Sequence, residues 1–296
     1  MTNSKDQNFV IVGASLAGAL AARTLREVGF DGRVVLIGAE AHPPYERPTL
    51  SKDYLRGETP REKTYVHPQN IYADNEIELL TSTTVREIDV PASEVVLDGG
   101  RRLRFDRLLL ATGASPRRLD VPGAELDGVH YLRDIDDSDA IAERLKRGGK
   151  VVVVGGGWIG SEVAASARQK GLEVTVLMQQ DLPLAWQLGP EVGAVYRDLH
   201  RERGVEFVTA PVAAFEGEGV VRRVRTRDGR AIETDFVVVA AGVDPRTDLA
   251  QRAGIAVDGG IRTDEYLRTS VPEVFAAGDA ADAYHPFYGR HLHVEH

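Results

Sequence analysis

Two glycine-rich turns carry the first chemical signal in this sequence. Gly13, Ser15 and Gly18 in "VGASLAGAL", with Leu16 and Ala17 between them, hold the positions of a G-x-G-x-x-G turn whose middle glycine is a serine. Gly155, Gly157 and Gly160 in "VGGGWIGSEV", with Trp158 and Ile159 inside the turn, complete the same pattern. Such a turn requires a tight bend, a close approach of bare backbone to a pyrophosphate, and a following helix whose free N–H groups meet the anion. Serine is small enough to allow that approach and adds a hydroxyl donor. Glu40 closes the next apolar run, where a carboxylate can accept both hydroxyls of an adenosine ribose. The matching point of the second half reads Met178-Gln179-Gln180. It has neither the acid that usually holds the ribose of NADH nor an arginine for the extra phosphate of NADPH. Glutamine can bond either, so coenzyme choice stays open, leaning to NADH because nothing there is cationic.

The elements that must position these residues occur twice. "FVIVGASLAGALAARTLREVGFDGRVVLIGAE" (9–40) and "VVVVGGGWIGSEVAASARQKGLEVTVLMQQ" (151–180) share one plan: a β-branched run, the glycine turn, an alanine-rich amphipathic stretch closed by glycine, and a second β-branched run. A short, uniformly apolar run reads as a buried parallel strand. Gly29 and Gly171 stand where the helices should stop. Further along, "VVLDGGRRLRFDRLLLATGASPR" (95–117) resembles "VRTRDGRAIETDFVVVAAGVDPR" (224–246), each a hairpin leading into an apolar strand that ends in Ala-x-Gly. Two ordered copies predict an α/β fold with two Rossmann-like dinucleotide-binding domains, each a three-layer unit around a parallel sheet. "TSVPEVFAAGDAADAY" (269–284) belongs with the first copy, because the second has finished its unit by Gly242. The expected domains are therefore 1–118 with 245–296, interrupted by 119–244, the second inserted into the first.

Composition narrows the function. The chain has 296 residues, a formal charge of −9 and no cysteine. Disulfide frameworks, thiolate metal sites and thiol catalysis are excluded within it. The acidic balance argues against nucleic acid as a partner, and no apolar run is long enough to span a bilayer. With no export signal visible at "MTNSKDQNFV", a cytoplasmic chain is expected. The histidines show no metal-ligand spacing, so no metal is expected.

Five stretches, "PPYERPTLSKDYLRG" (43–57), "ATGASPRRL" (111–119), "HYLRDIDD" (130–137), "GGGWIGSEVAA" (155–165) and "VFAAGDAA" (274–281), resemble the FAD-dependent NAD(P)H:ferredoxin reductases of the putidaredoxin and rubredoxin reductase type. The "ERPTLSK" loop is the most discriminating of them. The resemblance runs in order from Phe9 to His296 and implies an FAD-binding domain (1–118 and 245–296) and an NAD(P)H-binding domain (119–244). By that resemblance, Gly13 to Gly18 and Glu40 hold the adenosine diphosphate of FAD, and Val85 meets the adenine through its backbone. Arg47 and Lys52 reach towards the diphosphate and flavin ring, Ala111, Thr112 and Gly113 line the cofactor path, and Arg133 balances phosphate charge. Asp279 accepts from the ribityl hydroxyls, with a following helix N-terminus near the phosphates. Glu162 faces the nicotinamide and pairs with Lys52, and Met178, Gln179, Ala241 and Gly242 border the coenzyme. Trp158, inside the second turn, packs on the nicotinamide side or else buries against its own sheet, the first being preferred.

The implied chemistry is hydride transfer from NADH or NADPH to FAD, then single-electron release to a ferredoxin or rubredoxin-like iron–sulfur protein of an oxygenase system. The family continues beyond a segment resembling "VEHW" into a third domain with dimer and ferredoxin contacts. Val294-Glu295-His296 is read as a cut inside that segment, so the C-terminal interface domain is expected to be absent. The alternative is then a truncated FAD-binding module with only diaphorase or oxidase activity, or none, prone to self-association as a homodimer. The arginine-rich hairpins "RRLRFDR" (101–107) and "RRVRTRDGR" (222–230) are read first as solvated edges and only second as a docking face for an acidic ferredoxin.

Overall fold

The computed structural model describes residues 4–293 and divides the chain into two compact units. The first comprises Met1–Glu46, Tyr65–Ser115 and Pro245–His296, and the second Arg47–Thr64 and Pro116–Asp244. The first unit begins with β1 (Asn8–Val12), α1 (Leu16–Glu27), β2 (Arg33–Ile37), α2 (Asn70–Asp74) and β3 (Ile77–Leu80). An antiparallel trio follows, β4 (Val85–Asp89), β5 (Glu94–Leu97) and β6 (Arg102–Arg104), and then β7 (Arg107–Leu110). The chain leaves this unit within β8 (Ala114–Pro116). The second unit contains β9 (Val129–Tyr131), α3 (Ile135–Arg147), β10 (Lys150–Val154), α4 (Trp158–Gln169), β11 (Glu173–Met178), α5 (Ala185–Glu202) and β12 (Val205–Thr209). Another antiparallel trio, β13 (Val212–Glu216), β14 (Arg223–Thr226) and β15 (Ala231–Glu233), precedes β16 (Phe236–Val239). The chain returns to the first unit within β17 (Val243–Pro245) and ends with α6 (Asp248–Arg252), β18 (Ile261–Thr263), β19 (Val274–Ala276), β20 (Ala281–His285) and β21 (Arg290–Leu292).

Each unit is built on a five-stranded parallel sheet, ordered β19-β7-β1-β2-β3 in the first and β12-β11-β10-β16-β9 in the second. Strand periodicity sorts the first sheet's core into two layers. Val10, Val12, Val35 and Ile37 face the β4–β6 trio with Val85, Val95 and Phe105. Ile11, Val34 and Leu36 face Ala22 of α1 and Tyr72 of α2. The second sheet repeats the plan, with Val152, Val154, Val237 and Val239 packed against Phe215 and Val224 of its own trio. Alanines let the helices approach closely: Ala22, Ala164 and Ala167 are fully buried. Gly29 and Gly171, at φ of +85° and +86°, end α1 and α4 in the left-handed region, where a side chain would be strained.

Two features differ from the reading of the sequence. Residues 47–64 pack with the second unit, not with the first, and the passage between units falls at 115/116. The reason is a set of buried serines on α3 and α4 that bond this segment's carbonyls, Ser138 Oγ to Leu50 O at 2.8 Å and Ser166 Oγ to Ser51 O at 2.7 Å. Secondly, among the described residues no α-helix follows Asp279. Gly278–Ala280 form a single 3-10 turn and the chain continues as β20, because Ala281, Asp282 and Ala283 pair in register with Ile261, Arg262 and Thr263 of β18. Val294, Glu295 and His296, on which the reading of a cut rested, lie outside the described residues.

Candidate functional site

Both glycine turns fold to the same geometry. Gly13 and Gly155 each have φ of +119°. The Gly13 N–H donates to Ile37 O at 2.8 Å and the Gly155 N–H to Leu177 O at 2.9 Å. A Cβ on Gly13 would lie 1.9 Å from Ala111 O, and one on Gly155 2.1 Å from Ala240 O. A Cβ on Gly18 or Gly160 would strike the carbonyl of the first glycine of its turn, at 2.0 and 2.1 Å. Outer glycines are therefore required by strand–turn–helix packing. The middle position is different: a Cβ on Gly157 would meet nothing within 4 Å. Ser15 takes the equivalent place in the first turn, at the N-cap of α1, in extended backbone. Neither Ser15 nor Gly157 makes a side-chain cap hydrogen bond. The helix-terminal N–H groups therefore receive no cap from these residues, beside open space in the second turn. That is what a bound pyrophosphate needs.

Register brings the remaining candidates of the first unit to one sheet edge. Val12 pairs with Ile37 and Leu110, and Leu110 with Ala276. Gly13, Glu40, Ala111 to Gly113 and Asp279 thus follow the carboxyl ends of neighbouring parallel strands, where ligands of such sheets collect. Gly278 sits against α1, since a Cβ there would lie 3.1 Å from Ala17 Cβ. Glu40 is half-buried and accepts a short hydrogen bond from Tyr45 Oη, whose ring is buried. Tyr45 was not singled out from sequence; its one signal is a tyrosine inside the proline-pinned "PPYERP". Thr112 Oγ1 donates to Arg246 O at 2.7 Å, and Gly113 O accepts from the Arg246 N–H at 2.9 Å, so these residues also anchor the returning chain. Val85 opens β4 with its side chain in the core, which is compatible with a ligand contact through its backbone.

In the second unit, Val154 pairs with Leu177 and Val239, and Val239 with Tyr131. Gly155 to Gly160, Gln179, Ala241, Gly242 and Arg133 accordingly follow strand ends at one edge. Trp158, the first residue of α4, is 46% exposed and not packed into its own sheet. Met178 is buried instead: a Cβ on Gly156 would lie 2.6 Å from its sulfur, which makes Met178 a floor beneath the turn. Gln179 and Gln180 are exposed beyond it.

The 47–64 segment contributes a charged cluster to this unit. Lys52 Nζ lies 2.8 Å from Glu162 Oε2 and 2.9 Å from Pro48 O. Ser51 Oγ donates to the same Glu162 oxygen at 2.5 Å. Arg47 donates to Arg133 O at 2.5 Å, and the Arg133 N–H donates to Asp137 at 2.9 Å. Tyr54 donates to Asp139 at 2.6 Å, and Arg61 pairs with the same carboxylate. Burial first, and then the Asp139 carboxylate, push the Tyr54 phenol above the ordinary tyrosine range, against the opposing pull of Arg61. Ser51, Ser138 and Ser166 escaped notice in the sequence because a lone serine carries no pattern.

The arginine-rich hairpins are engaged locally. Arg102 pairs with Asp89 and Glu94, Arg225 and Arg223 with Glu216, and Arg230 with Asp228. Among the described residues no group of three or more side chains could hold a metal ion, and no helix is long and apolar enough to cross a membrane.

The chain is 43% identical over 274 residues to the biphenyl dioxygenase system ferredoxin–NAD(+) reductase component of Paraburkholderia xenovorans (strain LB400), covering 92% of this chain and 67% of that protein. It is 41% identical to rhodocoxin reductase of Rhodococcus erythropolis, covering 93% of this chain and 65% of that one. The reductase in the crystal structure of the covalent putidaredoxin reductase–putidaredoxin complex superposes with a TM-score of 0.95 at 38% identity, over 98% of this chain and 71% of that chain. The chain thus spans about two thirds of the length of the curated relatives it matches. Residues 7–294 match the pyridine nucleotide-disulphide oxidoreductases, and the chain belongs to that family.

Proposed function

We propose that this chain is a flavoprotein reductase, which passes a hydride from NADH to FAD and then electrons to a ferredoxin-type iron–sulfur protein of an oxygenase system. The observation that carries the reading is the repeated phosphate turn, one at the carboxyl edge of each of two parallel sheets, in a chain with no cysteine. Without cysteine, a redox disulfide has no place in the chemistry. The printed names of the relatives point to NAD(+) and to ferredoxin-type acceptors. When bound, the flavin converts a two-electron donor into one-electron delivery.

The chain's own residues bind and orient. In this reading the Gly13 to Gly18 turn takes the FAD pyrophosphate and Glu40, held by Tyr45, takes the adenosine ribose, while Val85, Ala111 to Gly113 and Asp279 border the rest. The Gly155 to Gly160 turn takes the NADH pyrophosphate, with Gln179, Ala241 and Gly242 alongside and Trp158 free to cover the nicotinamide. Gln179 and Gln180 supply neutral hydrogen-bonding groups at the ribose, with no cation for a further phosphate, which favours NADH. Lys52 and Glu162 present a fixed positive and negative charge beside the coenzyme turn, with Arg47 and Arg133 close in the same unit. The reaction belongs in the cytoplasm, where the coenzyme is supplied.

Stopped-flow reduction of the flavin-loaded chain by NADH and NADPH in parallel tests this. Bleaching of the flavin band by NADH, with at least a tenfold weaker response to NADPH, is expected, because each missing charge-assisted contact is worth about 1.5–3 kcal/mol. No bleaching by either coenzyme overturns the proposal. Reduction of ferricyanide without reduction of any ferredoxin would assign the chain diaphorase activity alone.

A further inference from the structure

Glu162 lies on α4, one turn after the coenzyme-facing glycines, and its two donors converge on a single oxygen. Ser51 Oγ at 2.5 Å and Lys52 Nζ at 2.8 Å both meet Oε2. Lys52 is 42% and Glu162 26% exposed, so solvent screens this ion pair and the pair alone would hold the carboxylate loosely. Ser51 is 4% exposed, and its position is over-determined. Its carbonyl accepts from Ser166 Oγ on α4 at 2.7 Å, and the carbonyl of Leu50 before it accepts from Ser138 Oγ on α3 at 2.8 Å. Ser138 and Ser166 are themselves buried. A short, buried, backbone-clamped hydroxyl thus aims at the carboxylate, while a flexible, half-exposed ammonium shares the same oxygen.

We infer that Ser51 is a positioning residue for Glu162: its hydroxyl fixes the carboxylate rotamer, lets Oε2 take both protein donors and leaves Oε1 turned out to receive a donor from the coenzyme. Ser138 and Ser166 clamp the Ser51 backbone and act on Glu162 only through it. The inference rests on the proposal that Glu162 serves the coenzyme, and it goes beyond it by naming what holds that side chain. Of the other charged groups on this segment, Arg56 pairs with Asp53 and Glu58 and donates to Ser166 Oγ at 3.3 Å, and Arg61 pairs with Asp139.

The test is the side-chain rotamer of Glu162, read from carbon-13 three-bond couplings in the full chain before coenzyme is added, in Ser51→Ala, Ser51→Thr and Ser166→Ala, with Glu162→Gln used to assign the signals. The unsubstituted chain should show one χ1 rotamer, and Ser51→Ala should average the couplings over several. Ser51→Thr keeps the hydroxyl and should restore the single rotamer. Ser166→Ala loosens only the clamp, so it should average the couplings less than Ser51→Ala does and lower the unfolding temperature by a few degrees. In flavin-loaded protein, Ser51→Ala should raise the KM for NADH at least as much as it lowers kcat. Unchanged couplings in Ser51→Ala, or no recovery in Ser51→Thr, overturn the inference. Failure of NADH to reduce the flavin of the unsubstituted chain would remove the coenzyme reading and leave the rotamer result standing.

Discussion

At the scale of single residues, the site depends on side chains that steer other side chains. Glu40 would be an ordinary part-exposed acid without the buried phenol that donates to it. Tyr45→Phe keeps the ring in its pocket and removes only that donor. It should cost about 1 kcal/mol of stability in a urea titration and lower flavin retention, read as the ratio of flavin to protein absorbance after gel filtration. An unchanged ratio would show that the ribose is held without Glu40. The acid was legible in the sequence because its place after the second strand is set by the glycine turn before it. The tyrosine was not, since only the fold of a proline-containing loop carries it back to Glu40. Met178 is a different case. Its place at the strand end reads as a coenzyme contact, and its side chain packs beneath Gly156, a role that strand position alone does not distinguish.

Elements explain why the two turns tolerate so little change, and where they tolerate some. Gly157 has φ of −82° and faces open space, so alanine fits the fold there. Gly157→Ala should unfold within about 0.5 kcal/mol of the parent, the usual range for substitutions away from packing constraints, yet weaken NADH binding roughly tenfold or more by filling the pyrophosphate's approach. Gly155→Ala, at φ of +119° and 2.1 Å from Ala240 O, should fail to fold stably. Equal effects of the two on stability would contradict this geometry. The βαβ units were readable because β-branched runs, alanine-rich helices and terminal glycines all agree. The turn after Asp279 misled, because "DAADAY" is rich in alanine, a strong helix former. Pairing of Ala281 to Ala283 with β18 overrides that propensity, and no local pattern announces a partner strand some twenty residues earlier.

Across the whole molecule, burial works against charge on three imidazoles. His67, His130 and His200 are held below the ordinary histidine range, chiefly by burial, with Arg23 adding to the effect at His67 and Arg144 at His130. Nε2 of His67 and of His130 is buried without a hydrogen-bond partner. A depressed histidine binds its proton more readily in the unfolded chain, so stability should be full above about pH 6.5 and fall as the pH drops through the lower folded values. Urea midpoints measured between pH 7.5 and 5.5 should decline, and His130→Leu should flatten that slope. Asp137, raised mainly by burial, works in the opposite sense at lower pH. The twofold plan of the molecule was plain in its repeated segments, whereas the transfer of residues 47–64 to the second unit depends on three buried hydroxyls and had no sequence signature. The fifth strand of each parallel sheet comes from outside the repeated order: β9 precedes the rest of its sheet, and β19 follows the entire second unit. On the ribosome, residues 47–64 and β9 have already emerged when β16 appears, so the inserted half can finish while the amino-terminal half still waits for Val274–Ala276. The half that is translated first is thus the last to close, and a nascent chain that has emerged only as far as residue 250 would display one completed sheet and one still lacking its last strand.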